Sequence, residues 1–200
     1  MNEKLLEPAT LISSLPAYPG IAPERICLVK TSQDAAFALE KMMKATSLGF
    51  DTESKPIFSR GQESDGPHLI QLATVEYAFL FPVVSREQLA LATPVEKAVL
   101  ESPNILKVGF GLGDDNQRLF NKMGVKIVAV LDLSRLLSDN RRKQLGAKTA
   151  VEKYFGQALQ KSKRVSTSNW AAHTLNERQL KYAADDAQSA LLVYLASRVK

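Results

Sequence analysis

The run Phe50-Asp51-Thr52-Glu53 ends an apolar stretch with two carboxylates two residues apart. In an extended chain, residues two apart project to the same side, so both acids share one face at a strand end. Crowding them raises like-charge repulsion, and partial burial adds a desolvation penalty. Divalent cations that bind carboxylate oxygens offset both costs. Taken alone, the pair also reads as a strand-terminating Asp51 followed by a loop acid. Two further acidic positions widen the set. Asp114 and Asp115 follow the VGFG stretch at 108–111, and Asp185 and Asp186 follow Tyr182. On a helix, Tyr182 and Asp186 stand at i,i+4 and share a face, whereas Asp185 lies about 100° round from Asp186. Three acidic sites on three elements could then meet at one end of a sheet, a set suited to oxygen-ligated metal chemistry.

Other chemistries fit the sequence less well. Cys27 is the sole cysteine, and His68 and His173 are the two histidines. That excludes an internal disulfide and a thiolate zinc cluster, and argues against a histidine-rich metal site. The glycines at 109, 111 and 113 do not have dinucleotide-fingerprint spacing, and acids follow them at once. His68 reads as a strand-start residue and Trp170 as packing against the last helix, with base stacking as its alternative.

The elements that must position these acids follow from periodicity. Strands are expected at 25–30, 47–52, 68–75, 77–84, 105–110 and 125–131, with Pro82 ending its strand or marking an edge. Helices are expected at 32–44 (Ser32 as cap), 85–100, from 113, near 134–137, at 148–155 and at 177–199. In the last, Leu180, Ala183, Ala184, Ala187, Leu191 and Leu192 form an apolar stripe. Early hairpin-like strands followed by strand–helix alternation give an α/β fold with a mixed central sheet flanked by helices. A Pro-rich arm over 1–23 leads into a single domain over 24–200.

The 200 residues are 45% hydrophobic, enough for a real core and against a wholly disordered chain. No apolar run approaches the roughly 18 residues of a membrane span, and Glu3, Lys4 and Glu7 argue against a secretory signal. A cytoplasmic location is the expectation. Net charge is +5, and residues 141–164 hold eight Lys and Arg against Glu152 alone. Such clustering suits a nucleic-acid backbone or serves as a solvated surface loop. Arg141, Arg142 and Lys143 are candidates to guide a backbone toward the acids, and Lys161, Lys163 and Arg164 to form a second rim. Phe110 is a candidate to flank a terminal nucleotide.

Taken together, FDTE at 50–53, GFG at 109–111 followed by Asp115, and YAADD at 182–186 resemble the three motifs of the DEDD exonuclease superfamily. The matching branch includes ribonuclease D and the Werner syndrome helicase exonuclease domain. HLIQLAT at 68–74 and Ser168-Asn169-Trp170 extend the likeness over roughly residues 24–197. The resemblance implies a ribonuclease H-like fold and divalent-metal-dependent hydrolysis from the 3′ end of DNA or RNA, releasing 5′ nucleoside monophosphates. It implies that Asp51, Glu53, Asp115 and Asp186 hold two cations, Mg²⁺ or Mn²⁺, and that Tyr182 orients the attacking water. Asp114 is the rival of Asp115 should the alignment slip by one. Lys181 stands where a histidine-type third motif would carry histidine, so the tyrosine subclass is implied. The run at 51–56 and the Gly61 loop look closer to the Werner-type branch, favouring DNA over RNA processing. A noncatalytic nucleic-acid-binding module is the competing class. No room is expected after the last helix for a helicase or an accessory domain.

Overall fold

In the computed structural model, which describes residues 15–57, 65–138 and 144–199, the apolar run at 47–53 becomes the centre of the sheet. This strand, β2 (Ser47–Glu53), follows β1 (Ile26–Leu28) and α1 (Ser32–Met42). Next come β3 (Leu69–Ala73), β4 (Ala78–Pro82), α2 (Arg86–Leu100), β5 (Leu106–Gly109), α3 (Asp115–Met123) and β6 (Val130–Asp132). Helices α4 (Leu133–Leu136), α5 (Ala147–Phe155), α6 (Lys163–Ser166) and α7 (Glu177–Ser197) complete the chain. The six strands stand in the order β1-β4-β3-β2-β5-β6. β2, β3 and β4 run antiparallel to their sequence neighbours, while β1, β5 and β6 join in parallel, giving the expected mixed sheet.

Strand alternation divides the core between two faces. Leu48, Phe50, Ile70, Leu72, Phe79 and Phe81 pack toward α1 and α2. Leu69, Ala73, Ala78 and Leu80 turn the other way, toward Tyr182, Ala183, Ala184 and Ala187 of α7. Asp51 and Glu53 share the parity of Gly49, whose Cα faces α7 so closely that a Cβ there would stand 1.8 Å from the Ala187 carbonyl oxygen. Small residues on the helix and no side chain on the strand let the two backbones approach. That approach brings the third acidic motif beside the first.

Three local expectations are corrected. Thr31, not Ser32, caps α1: its Oγ1 accepts from Asp34 N at 3.1 Å while Asp34 Oδ2 accepts from Thr31 N at 2.9 Å. This reciprocal box leaves Ser32 in the first turn. The strand expected at 125–131 shortens to β6. Its alternation is real, with Val125 and Ile127 buried, but Ile127 N donates to Asn116 Oδ1 and Val128 N to the Leu100 carbonyl rather than to a strand. Ala129 then takes a left-handed φ of 51°. The four-residue α6 (Lys163–Ser166) was not expected.

One buried charge makes a stability prediction. Glu96 on α2 is fully buried, neither carboxylate oxygen has a hydrogen-bond partner among the described residues, and desolvation pushes its pKa up to about 8. A folded-state pKa above the unfolded value means that the folded chain binds the extra proton. Stability from this group is therefore full below about pH 4.5 and falls as pH rises to about 8. The loss is at most roughly 5 kcal/mol at 1.36 kcal/mol per pKa unit. Glu96→Gln is expected to gain Tm over the wild type at pH 9 and little at pH 5. Parallel Tm curves against pH would contradict this.

Candidate active site

β2 carries Asp51 and Glu53 toward α7, and the Asn176–Gln179 capping box starts α7 in the register that turns Tyr182 and Asp186 to meet them. Asp51 and Glu53 are half-buried at the end of β2, walled largely by protein. Burial raises the Asp51 pKa first, and the charges of Asp186 and Asp115 raise it further. Burial also raises that of Glu53, followed by Asp51 and Asp186. Asp186 is 4% exposed, and its pKa too is raised, mainly by burial. These acids lie in one another's field.

Asp115 comes from the other side of the sheet. It opens α3, whose Leu119 packs in the α1–α2 core, and Thr52 Oγ1 donates to its Oδ1 at 2.5 Å. Its rival Asp114 is 85% exposed at the side chain and stands 3.9 Å from Arg118. Asp115 is thus the inward-turned member of the pair. Asp132, which the sequence did not single out, holds the preceding turn: its carboxylate accepts from Gly111 N, Leu112 N and Ser134 N at 3.0, 3.1 and 2.9 Å.

A lysine absent from the expected site stands at its centre. Lys161 Nζ makes an ion pair with Asp186 Oδ2 at 2.8 Å and lies 5.6 Å from the Tyr182 ring centroid. Burial works against its charge, but Asp186, Asp51 and Glu53 together raise its pKa above the ordinary lysine value. Lys161 therefore turns inward rather than joining the expected basic rim, whereas Lys163 and Arg164 on α6 are exposed. Its neighbours Gln160 and Ser162 line a cleft of about 730 Å³ with Tyr18, Ile26 and Tyr182. Tyr182 is braced from behind by Trp170, which is 1% exposed, 6.0 Å away between centroids and hydrogen-bonded through Nε1 to the Ser166 carbonyl. Packing is what the structure gives Trp170. Phe110 is half-buried against the cluster of Val108, Leu133 and Val151. Arg141, Arg142, Lys143 and Gly61 lie outside the described residues.

Asp185 has a different task from Asp186. Its Oδ1 accepts from Ile21 N at 3.0 Å, and Lys181 Nζ reaches it at 2.6 Å while also donating to the Pro19 carbonyl. Gly20, at φ 62°, passes so close that a Cβ would meet Lys181 and Asp185. Together these contacts clasp residues 18–21 onto α7. Asp185→Ala should lose about 1–3 kcal/mol of stability, the cost of stranding partly buried partners, and keep turnover within about twofold. A collapse in the turnover of folded protein would instead place Asp185 in the centre.

The donor set suits hard cations. Beside the Lys161 ion pair, Asp186 has no aligned hydrogen bond at either oxygen among the described residues, and every candidate ligand is a carboxylate, the chemistry that Mg²⁺ and Mn²⁺ prefer. Among the described residues, no three acids, histidines or cysteines are yet gathered closely enough to hold a metal ion.

The sequence model of a family described as 3′-5′ exonuclease matches residues 26–197. This chain belongs to the 3′–5′ exonuclease family. It is 28% identical over 179 residues to the bifunctional 3′-5′ exonuclease/ATP-dependent helicase WRN of Mus musculus, covering 86% of this chain and 12% of that protein. It is similar in structure to the Aedes aegypti Nibbler EXO domain, with a TM-score of 0.71, 26% identity and 88% of each chain covered. It shares its fold with Trypanosoma brucei RNase D, with a TM-score of 0.75, 22% identity, and 86% and 64% of the two chains covered. This chain spans from 12% of the WRN protein to 34% of a 3′-5′ exonuclease of Arabidopsis thaliana. The ribonuclease H-like architecture of DEDD exonucleases, a mixed sheet flanked by helices, is the one seen here.

Proposed function

We propose that the chain hydrolyses phosphodiester bonds one at a time from the 3′ end of a nucleic acid, releasing 5′ nucleoside monophosphates. The observation that carries this reading is the mutual field of Asp51 and Glu53 from β2, Asp186 from α7 and Asp115 from α3, at one end of an exonuclease-family sheet. Two divalent cations, Mg²⁺ or Mn²⁺, held by these four carboxylates would supply activated water and neutralise charge on the phosphoryl oxygens. The residues themselves set the rest of the geometry. Burial raises the Tyr182 pKa, and the charges of Asp186, Glu53 and Asp51 raise it further, so the phenol stays neutral. A neutral phenol orients the attacking water by a hydrogen bond and does not take its proton. Water oxygen attacks phosphorus and releases its proton to solvent, the bond from phosphorus to the 3′ oxygen breaks, and the departing 3′ oxygen takes a proton from solvent. Asp132 and Thr52 keep Asp115 at the strand end, and Trp170 backs Tyr182.

RNA takes precedence over the DNA expected from the sequence. The cue for DNA rested partly on Gly61, outside the described residues, while an RNase D of the shared fold has been seen with RNA U12. DNA remains the second reading because of the WRN relative. Phe110 and the Arg141–Arg142–Lys143 cluster are proposed to meet the terminal nucleotide and the backbone. The cytoplasm is the proposed location, and a single domain over 24–200 with its arm over 1–23 the proposed organisation. The test is a ladder assay on 5′-labelled RNA and DNA with Mg²⁺, Mn²⁺ or chelator and with free or blocked 3′ ends. Metal-dependent shortening from free 3′ ends, RNA faster, is expected. Binding without shortening would leave a noncatalytic module.

A further inference from the structure

Gln71, at the middle of β3, pairs directly with Asp51 across the antiparallel ladder. Its flanking positions of like parity, Leu69 and Ala73, pack against α7, so the carboxamide projects onto the face that carries Asp51 and Glu53. There it is fully buried, and neither Nε2 nor Oε1 has a hydrogen-bond partner among the described residues. An unsatisfied buried polar group costs about 1–3 kcal/mol. A methionine would fill the same volume without that cost, beside the apolar Leu69, Ala73 and Leu80. Directly opposed residues have Cβ atoms about 4.5–5.5 Å apart, a gap that a glutamine side chain spans. Asp51 Oδ1 already accepts from Thr52 N at 2.8 Å, which fixes one side of that carboxylate.

We propose that Gln71 is a positioning residue for Asp51, its Nε2–H group donating to the carboxylate through one buried water and fixing the orientation in which Asp51 receives a divalent cation. The inference rests on the metal-dependent centre proposed above. Groups that orient metal ligands typically contribute 10–100-fold to metal affinity, so a buried cost in the metal-free chain would return as tighter binding.

The test counts free Mn²⁺ by electron paramagnetic resonance during titration of the full chain, with metal-free Tm measured alongside. Gln71→Met removes the donor at nearly constant volume, and Gln71→Asn keeps the amide but withdraws it by one methylene. Both are expected to bind Mn²⁺ 10–100-fold more weakly, with the metal-free Tm of Gln71→Met equal to or above the wild type. Excess Mn²⁺ should restore part of the lost rate. Folded Gln71→Met with wild-type affinity, beside an Asp51→Asn control that has lost it, would reduce Gln71 to packing and overturn the inference alone. Should Gln71→Met not fold, Gln71→Asn decides on the same reading. An Asp51→Asn control that binds Mn²⁺ like the wild type would overturn the centre itself and this inference with it.

Discussion

Asp51→Asn is expected to lower turnover by about 10²–10³-fold, the scale of removing a preorganised group from a transition state, while leaving metal-free stability unchanged or higher. Asp51 is crowded by Asp186 and Asp115 and raised in pKa by burial above all. Asparagine retains an Oδ1 to accept from Thr52 N and removes one charge from a repelling set. Stability and activity should therefore move apart: calorimetric Tm in chelator holds or rises, and the stabilisation that Mn²⁺ gives the wild type shrinks. A lower Tm in chelator would identify Asp51 as a structural acid. A near-normal rate in the folded variant would remove it from the chemistry.

Gly49→Ala should be almost as severe for a different reason. The new Cβ would stand 1.8 Å from the Ala187 carbonyl oxygen, 2.6 Å from its carbon and 3.3 Å from Leu191 Cβ. The first two are backbone atoms of a long helix, which cannot swing aside as a side-chain tip can. Either α7 lifts from β2 or the strand bends, and each separates Asp186 from Asp51. Overpacking of a core contact costs about 1–3 kcal/mol and sometimes more. At about 2–4 °C per kcal/mol for a chain of this size, a cost near 3 kcal/mol lowers Tm by roughly 6–12 °C. Turnover should fall with it even in the fraction that folds. A variant with wild-type Tm and rate would show that the close approach does not set the site.

Much of this was legible in the chain. The FDTE run announced a strand ending in same-side acids, and the alanines of 183–187 announced the helix face that meets it, because both signals are local and periodic. The sequence resemblance assigned Asp115, and Asp114 proved to be the solvent-facing neighbour. What stayed hidden depends on which residues meet in space. Lys161 looked like one more charge of a basic segment until the chain between α5 and α6 turned it onto Asp186, 25 residues later. Gln71 was not singled out, because strand register, which sets it opposite Asp51, is not readable from one strand. Glu96 was not singled out, because helix periodicity alone did not show that it faces the core. Asp132 and Thr52 act through hydrogen bonds to residues more than twenty positions distant, at Gly111 and Asp115 respectively.

The central claim is that carboxylates from β2, α3 and α7 form one cation-binding centre, and calorimetric titration of Mn²⁺ into the full chain tests it most directly. Compared with the wild type, Asp51→Asn, Asp115→Asn and Asp186→Asn should each bind at least about tenfold more weakly, although they lie on three different elements. Wild-type Mn²⁺ affinity in folded Asp115→Asn or Asp186→Asn would contradict the account, because that element would then contribute nothing to the centre.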